Sequence, residues 1–170
     1  MADERVIYLM KGTLVGLSAG FIVSLFRLGI EFILETVIEG YHFMQEQPIW
    51  LIPWVIFSVT AALIVGKLVK SEPNIKGSGI PQVEGQVQGL ISLNWWPVIW
   101  KKFIGGLLAI GSGLFLGREG PSIQLGSAVG QGISNLTKGD DVEEKILLSS
   151  GAGAGLAAAF NAPLAGLMFV

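Results

Sequence analysis

Two stretches of this chain carry no ionisable side chain at all: Ile49 to Val65 and Ile146 to Val170. Runs of about 18 or more apolar residues match a hydrocarbon layer roughly 30 Å thick. The balance of the chain agrees. Apolar residues make up 51% of the 170 and charged residues 14%, against about 25% charged in a typical soluble domain. Several apolar runs in so short a chain would leave a soluble core too little polar surface to cover it. The expected fold is therefore an all-α membrane protein with polytopic helices, its first partner the lipid bilayer.

Other classes drop out on composition. A net charge of -2 suggests no nucleic-acid partner. With no cysteine and a single histidine, His42, neither a thiolate site nor a two-histidine zinc site is available, and no metal or cofactor is expected. Met1 to Ile7 is polar, and the apolar run after it is too long for the core of a signal peptide.

The first span is expected over Val6 to Ile38, with Arg27, Glu31 and Glu35 at steps of four on one face. The second covers Ile49 to Val69, with Trp50 and Trp54 near its start and Lys67 and Lys70 at its end. Lysines favour the cytoplasm, so this helix runs inward and the first outward, leaving Arg5 and Lys11 inside. His42 falls in the loop between them. Ser71 to Gly79 is a polar loop, and Pro81 to Ile91 is too short to span. Trp95, Trp96, Trp100, Lys101 and Lys102 read as another interface. Phe103 to Leu116 is short unless it borrows the turn before it, and Pro121 to Leu136 resumes the apolar pattern. Lys138 to Lys145 reads as solvated, its acidic residues lacking the ligand order of a calcium loop. Ile146 to Val170 reads as two short helices broken at Pro163. Glycines spaced by four (Gly12, Gly16 and Gly20; Gly126 and Gly130; Gly151 and Gly155) let helix backbones approach closely in lipid. A dinucleotide fingerprint is excluded, because the third glycine after Gly151 and Gly153 is misplaced and no strand precedes them.

Two segments carry the chemistry. Gly77-Ser78-Gly79-Ile80-Pro81 is a glycine-rich turn with proline at the expected first helical position, and Gly117-Arg118-Glu119-Gly120-Pro121 repeats the layout. Each leaves backbone N–H groups free at a helix start, where the macrodipole is positive. Broken helices with their N-termini at the membrane midplane bind anions without a fixed full charge. Such a cage also lets the ion leave. Glu119 lies between apolar runs, where a carboxylate is a functional hypothesis by default. The plainer alternative is an ion pair with Arg118. Beside an anion site, an ionised Glu119 can occupy the site and a protonated one can vacate it, which couples proton and anion occupancy. Ser78 supplies a neutral O–H donor or an N-cap, and the two roles are compatible. Glu84, on the short helix, ranks lower.

At these residues the chain resembles a family. GSGIP at Gly77 to Pro81, GREGP at Gly117 to Pro121 and GAGAGLAAAFNAPLAG at Gly151 to Gly166 are similar, in order and approximate spacing, to the motif set of CLC chloride channels and chloride/proton antiporters. The resemblance implies a homodimer with one pore per subunit, in which Ser78 is the central-site hydroxyl and Glu119 the gating glutamate. The anion-binding set would be Gly77, Ser78, Gly79, Ile80, Gly117, Arg118, Glu119 and Gly120. Chloride is the implied substrate, with protons as well in an antiporter. The expected location is multi-pass in a prokaryotic plasma membrane.

The resemblance covers the first of the family's two inverted-topology halves, so residues 1–170 read as the N-terminal part of a longer transmembrane domain. The family's pore tyrosine has no counterpart, and the antiporters' inner proton-transfer glutamate follows the segment matching Leu164 to Val170. Channel and antiporter therefore both stay open. Ser78, with no proline in its place, resembles chloride-preferring members rather than the plant nitrate type, and GREGP with Ser78 is unlike the fluoride-exporting branch. A non-transporting half-size subunit or scaffold is the other reading. An intramembrane enzyme is not expected, because only Ser78 and Glu119 could form a nucleophile–base pair and no histidine supports them.

Overall fold

The computed structural model describes the backbone of residues 2–170 and the side chains from Val6 onward. Met1 and the side chain of Arg5 lie outside the described residues. All the regular elements described are helical: α1 (Ala2–Glu46), α2 (Leu51–Ser71), α3 (Ile80–Val87), α4 (Trp95–Gly111), α5 (Glu119–Leu136), α6 (Asp141–Phe160) and α7 (Pro163–Phe169). Short 3-10 turns at Pro48–Trp50 and Pro73–Ile75 flank α2, each opened by its proline.

Several boundaries depart from expectation. The first helix runs on to Glu46, so His42 is an exposed residue of its last turns rather than part of a loop. Nothing in Glu39 to Glu46 stops a helix; the stop is Pro48, which disfavours helical geometry in the residue before it. The apolar stretch after Lys102 does borrow the preceding turn. Asn94 caps α4 by accepting from the Trp96 N–H at 3.3 Å. At the other end the expected break is present. Asn161, at φ 54°, closes α6 in the left-handed region, and Pro163 opens α7.

The helix at the centre is α5. Every residue from Gly120 to Gly132 is buried, and the glycines, serines and Ala128 among them let neighbouring helices close in on α5. Gln131 donates to the Leu93 carbonyl at 2.9 Å and to Glu144 at 3.1 Å, and accepts from Gln86 at 3.1 Å. Against α5 lies α6, in backbone contact. A Cβ on Gly126 would strike the Gly151 carbonyl, and one on Gly130 the Leu147 carbonyl. These two expected glycine pairs are thus packing positions. Among the described residues, none outside α1 comes within 4 Å of a Cβ built on Gly12, Gly16 or Gly20.

Three apolar clusters tie the other helices to this centre. Val23, Phe26 and Ile30 of α1 meet Ile110, Leu125 and Ala159; Ile75, Leu93, Val98 and Ala128 form a second; Val83, Ile123, Leu148 and Ala152 a third. The outer faces stay apolar. Leu9, Phe32, Ile49 and Leu63 are each more than 60% exposed, and Ala61 is the one buried residue of α2. Pro48–Ser71 is long and apolar enough by itself to cross a membrane.

The Lys138 to Lys145 segment is not simply solvated. Asp140 caps α6 by accepting from the Glu143 N–H at 2.7 Å, and buried Glu143 pairs with Lys11. That pair brings the starts of α1 and α6 to the same end of the bundle.

Candidate functional site

The two glycine-rich turns, 40 positions apart in the repeated layout, come together in space. A cavity of about 580 Å³ is lined by Gly77, Ser78 and Ile80 from the first turn and by Gly117, Glu119, Gly120 and Pro121 from the second. Its walls are Val65 and Val69 of α2, and Gly105, Gly106 and Ala109 of α4. The turns touch at Gly120, where a Cβ would lie 2.8 Å from the Ser78 Cα. Only glycine permits that approach, so the starts of α3 and α5 converge because Gly120 has no side chain.

Each helix start leaves donors free. The first intrahelical bond of α5 runs from the Ser122 N–H to the Arg118 carbonyl at 3.1 Å. Pro121 has no N–H, so those of Glu119 and Gly120 are the free donors of this first turn. In α3 the Val83 N–H bonds the Gly79 carbonyl at 3.1 Å. The Ile80 N–H donates to Ser78 Oγ at 3.3 Å, so Ser78 is a weak cap that keeps its own proton to donate. The prolines sit deeper than expected: Ile80 and Glu119 are the first residues of their helices, which puts Pro81 second and Pro121 third. A proline is tolerated throughout the first turn, where no intrahelical partner waits for its N–H.

Two of the expected residues stand apart from the cavity wall. Gly79, at φ 88°, is buried behind the turn, where a Cβ would collide with the Gln124 amide. The Arg118 side chain points away, its guanidinium donating to Glu31 of α1 at 2.8 Å. This geometry removes the Arg118–Glu119 ion pair as the explanation of Glu119, which joins no ion pair among the described residues. Its carboxylate folds back over Gly117, with Oε2 2.6 Å from where a Cβ would stand there. Glu84 is exposed on α3.

Lys102 was misread in the sequence as an interface lysine. It is 4% exposed, lines the cavity, and donates to the carbonyls of Ile75 at 2.9 Å and Gly77 at 2.7 Å. The available signal was its register, since Val98, Lys102 and Gly105 share the buried face of α4. From the other side, Gln124 of α5 donates to the Asn74 carbonyl at 2.8 Å. The turn bearing Ser78 is thereby held by α4 and α5 together. Lys102→Met removes two hydrogen bonds from a charged donor, each worth about 1.5–3 kcal/mol. Methionine also relieves the cost of burying the charge, so the net loss of stability is expected to be about 2 kcal/mol, read by thermal unfolding. An unchanged unfolding temperature would show that Gln124 suffices to hold the turn.

Comparison with known proteins points to one family. Residues 61–170 match the family model described as voltage gated chloride channel. The chain is 42% identical over 166 residues to the H+/Cl− exchange transporter ClcA of Vibrio parahaemolyticus, covering 95% of this chain and 35% of that protein. It is 39% identical over 166 residues to ClcA of Cronobacter sakazakii. A solved structure described as a slow cyanobacterial Cl−/H+ antiporter superposes with a TM-score of 0.87 at 36% identity, over 94% of this chain and 38% of that one. The chain thus spans roughly a third of the length of these relatives. The match takes in α3 through α7 and both glycine-rich turns, so this chain belongs to the voltage-gated chloride channel family of integral membrane proteins.

Proposed function

We propose that these residues form the gate-bearing part of a chloride/proton exchange transporter that crosses the membrane several times. The observation that carries this is the convergence of the starts of α3 and α5 on one cavity, with Ser78, Glu119 and Gly120 all lining it. An anion there meets two positive helix ends and a hydroxyl. Lys102 lines the same wall. Glu119 is the one carboxylate on that wall among the described residues, so its ionised form competes with the anion for the same donors. Protonation releases the donors and links proton arrival to chloride entry. The similar proteins named above are H+/Cl− exchangers, which favours exchange over a channel. No step calls for covalent chemistry, so the protein is a transporter and not an enzyme, and the family resemblance points to a homodimer.

The test is chloride and proton flux measured together on the full-length protein in liposomes. Exchange predicts saturable chloride movement that drives protons the opposite way in a fixed ratio. Chloride movement without protons would make it a channel, and no movement of either would leave a scaffold. Because Ser78, with no proline in its place, and GREGP resemble the chloride-preferring members, chloride is expected to be carried at least as fast as nitrate and well ahead of fluoride. Nitrate or fluoride exchange well above chloride would remove that assignment.

A further inference from the structure

Glu119 has a second carboxylate within reach, through the arginine that precedes it. On α1, Glu31 accepts with one oxygen from Arg118 Nη1 at 2.8 Å and from Arg27 Nε at 3.1 Å. Arg118 is the residue before α5, and Glu119 is the first residue within it. The Glu119 carboxylate lies over Gly117, on the loop side of Arg118. Successive Cα atoms are about 3.8 Å apart, so an arginine side chain released at this position has the length to reach that carboxylate.

We propose that Glu31 is a positioning residue for the gate: it anchors Arg118 to α1, keeps the guanidinium off the Glu119 carboxylate, and thereby sets the pH at which Glu119 leaves the anion site. This rests on the gating reading of Glu119. The charged groups in the neighbourhood are Arg118 itself, Arg27, Glu31 and Glu35 on α1, and Lys76, Lys101 and Lys102 around the cavity. Lys102 is engaged by two carbonyls. Arg118 is the cation that adjoins Glu119 in the chain and is held by a partner on another helix.

The sign follows from charge. A guanidinium beside a carboxylate favours its ionised form, so freeing Arg118 means that more protons are needed to open the gate. In Glu31→Gln the midpoint of pH-dependent chloride flux is expected to move to lower pH by about one unit, a tenfold rise in proton concentration. That is near the low end for a neighbouring opposite charge, because the pair is about a third exposed and therefore screened.

The experiment measures chloride flux against pH in liposomes for the full-length wild type, Glu31→Gln, Arg118→Gln and the double variant. If Glu31 acts through Arg118, the acid shift seen in Glu31→Gln disappears when the same change is made on the Arg118→Gln background. A shift that persists there would mean that Glu31 acts on Glu119 directly through space, and would overturn the proposal. An unmoved midpoint in Glu31→Gln would overturn it too, whatever happens to stability. Should Glu31→Gln fail to purify, Glu31→Asp replaces it, since its shorter side chain cannot meet both arginines; the same acid shift supports the proposal and its absence refutes it. A wild-type profile that is flat, or that survives in Glu119→Gln, would sink the gate and the role of Glu31 together. A wild-type profile that Glu119→Gln abolishes but Glu31→Gln leaves in place would remove only Glu31.

Discussion

Glu119→Gln in the full-length protein is expected to keep chloride moving, flatten its dependence on pH, and stop the coupled movement of protons. The amide keeps the size of the carboxylate and loses the charge that, in the proposed gate, competes for the donors at the starts of α3 and α5. Chloride then takes the vacated position, because the helix ends still attract an anion. Proton coupling is lost because the amide has no proton to gain or release across the working range. The measurement is chloride and proton flux side by side over about pH 4 to 8. The structure already separates this from a structural role for the side chain. Arg118 is paired with Glu31, so Glu119→Gln breaks no ion pair among the described residues and is not expected to cost folded yield. A well-folded variant with the wild-type pH dependence would refute the gate.

The largest effect on stability is expected at the contact between α5 and α6. Inserting a side chain into a packed interior costs about 1–3 kcal/mol where neighbours can shift. At Gly126 and Gly130 the neighbours are the main-chain carbonyls of Gly151 and Leu147, which cannot move without carrying α6 with them. Gly126→Ala and Gly130→Ala are each expected to cost more than about 3 kcal/mol. The loss would appear as a lower melting temperature and a smaller monodisperse fraction in detergent. Gly40→Ala, where a Cβ meets nothing within 4 Å of this chain, is the control. It should stay within about 1 kcal/mol, the size of the glycine-to-alanine helix preference. Near-equal melting of all three variants would show that the α5–α6 contact is looser than its backbone distances imply.

This contact also shows how far spacing alone can be read. Gly126 and Gly130 could be matched to Gly151 and Gly155 as packing positions, yet Gly12, Gly16 and Gly20 have the same spacing and meet no neighbouring helix among the described residues. A four-residue repeat of glycine makes a flat stripe on a helix. It does not say which stripe finds a partner. The charged positions behave similarly. Glu143 stood in a run of acidic residues that looked solvated, and Lys102 beside Lys101 at an apparent interface, but both are buried. A neighbouring charge in sequence says little about burial, because residues adjacent on a helix point in different directions. Lys102 is tied down by carbonyls 27 and 25 positions away, and Glu143 by a lysine 132 positions away.

The sequence by itself determined the local matters. Ionisable-free runs required lipid, proline and glycine marked the starts of α3 and α5 to within two residues and the break before Pro163, and the paired turns singled out Ser78 and Glu119. Those features act over a few residues, through backbone geometry and desolvation, so one segment suffices to read them. Tertiary structure alone decided that the two turns meet, that they meet through Gly120 against Ser78, and that Arg118 turns from Glu119 to Glu31. It also decided that Lys102 and Gln124 hold the turn carrying Ser78. Each of these depends on which helix lies against which, and that is set by packing around α5 summed over many weak contacts. No single residue in the sequence records it.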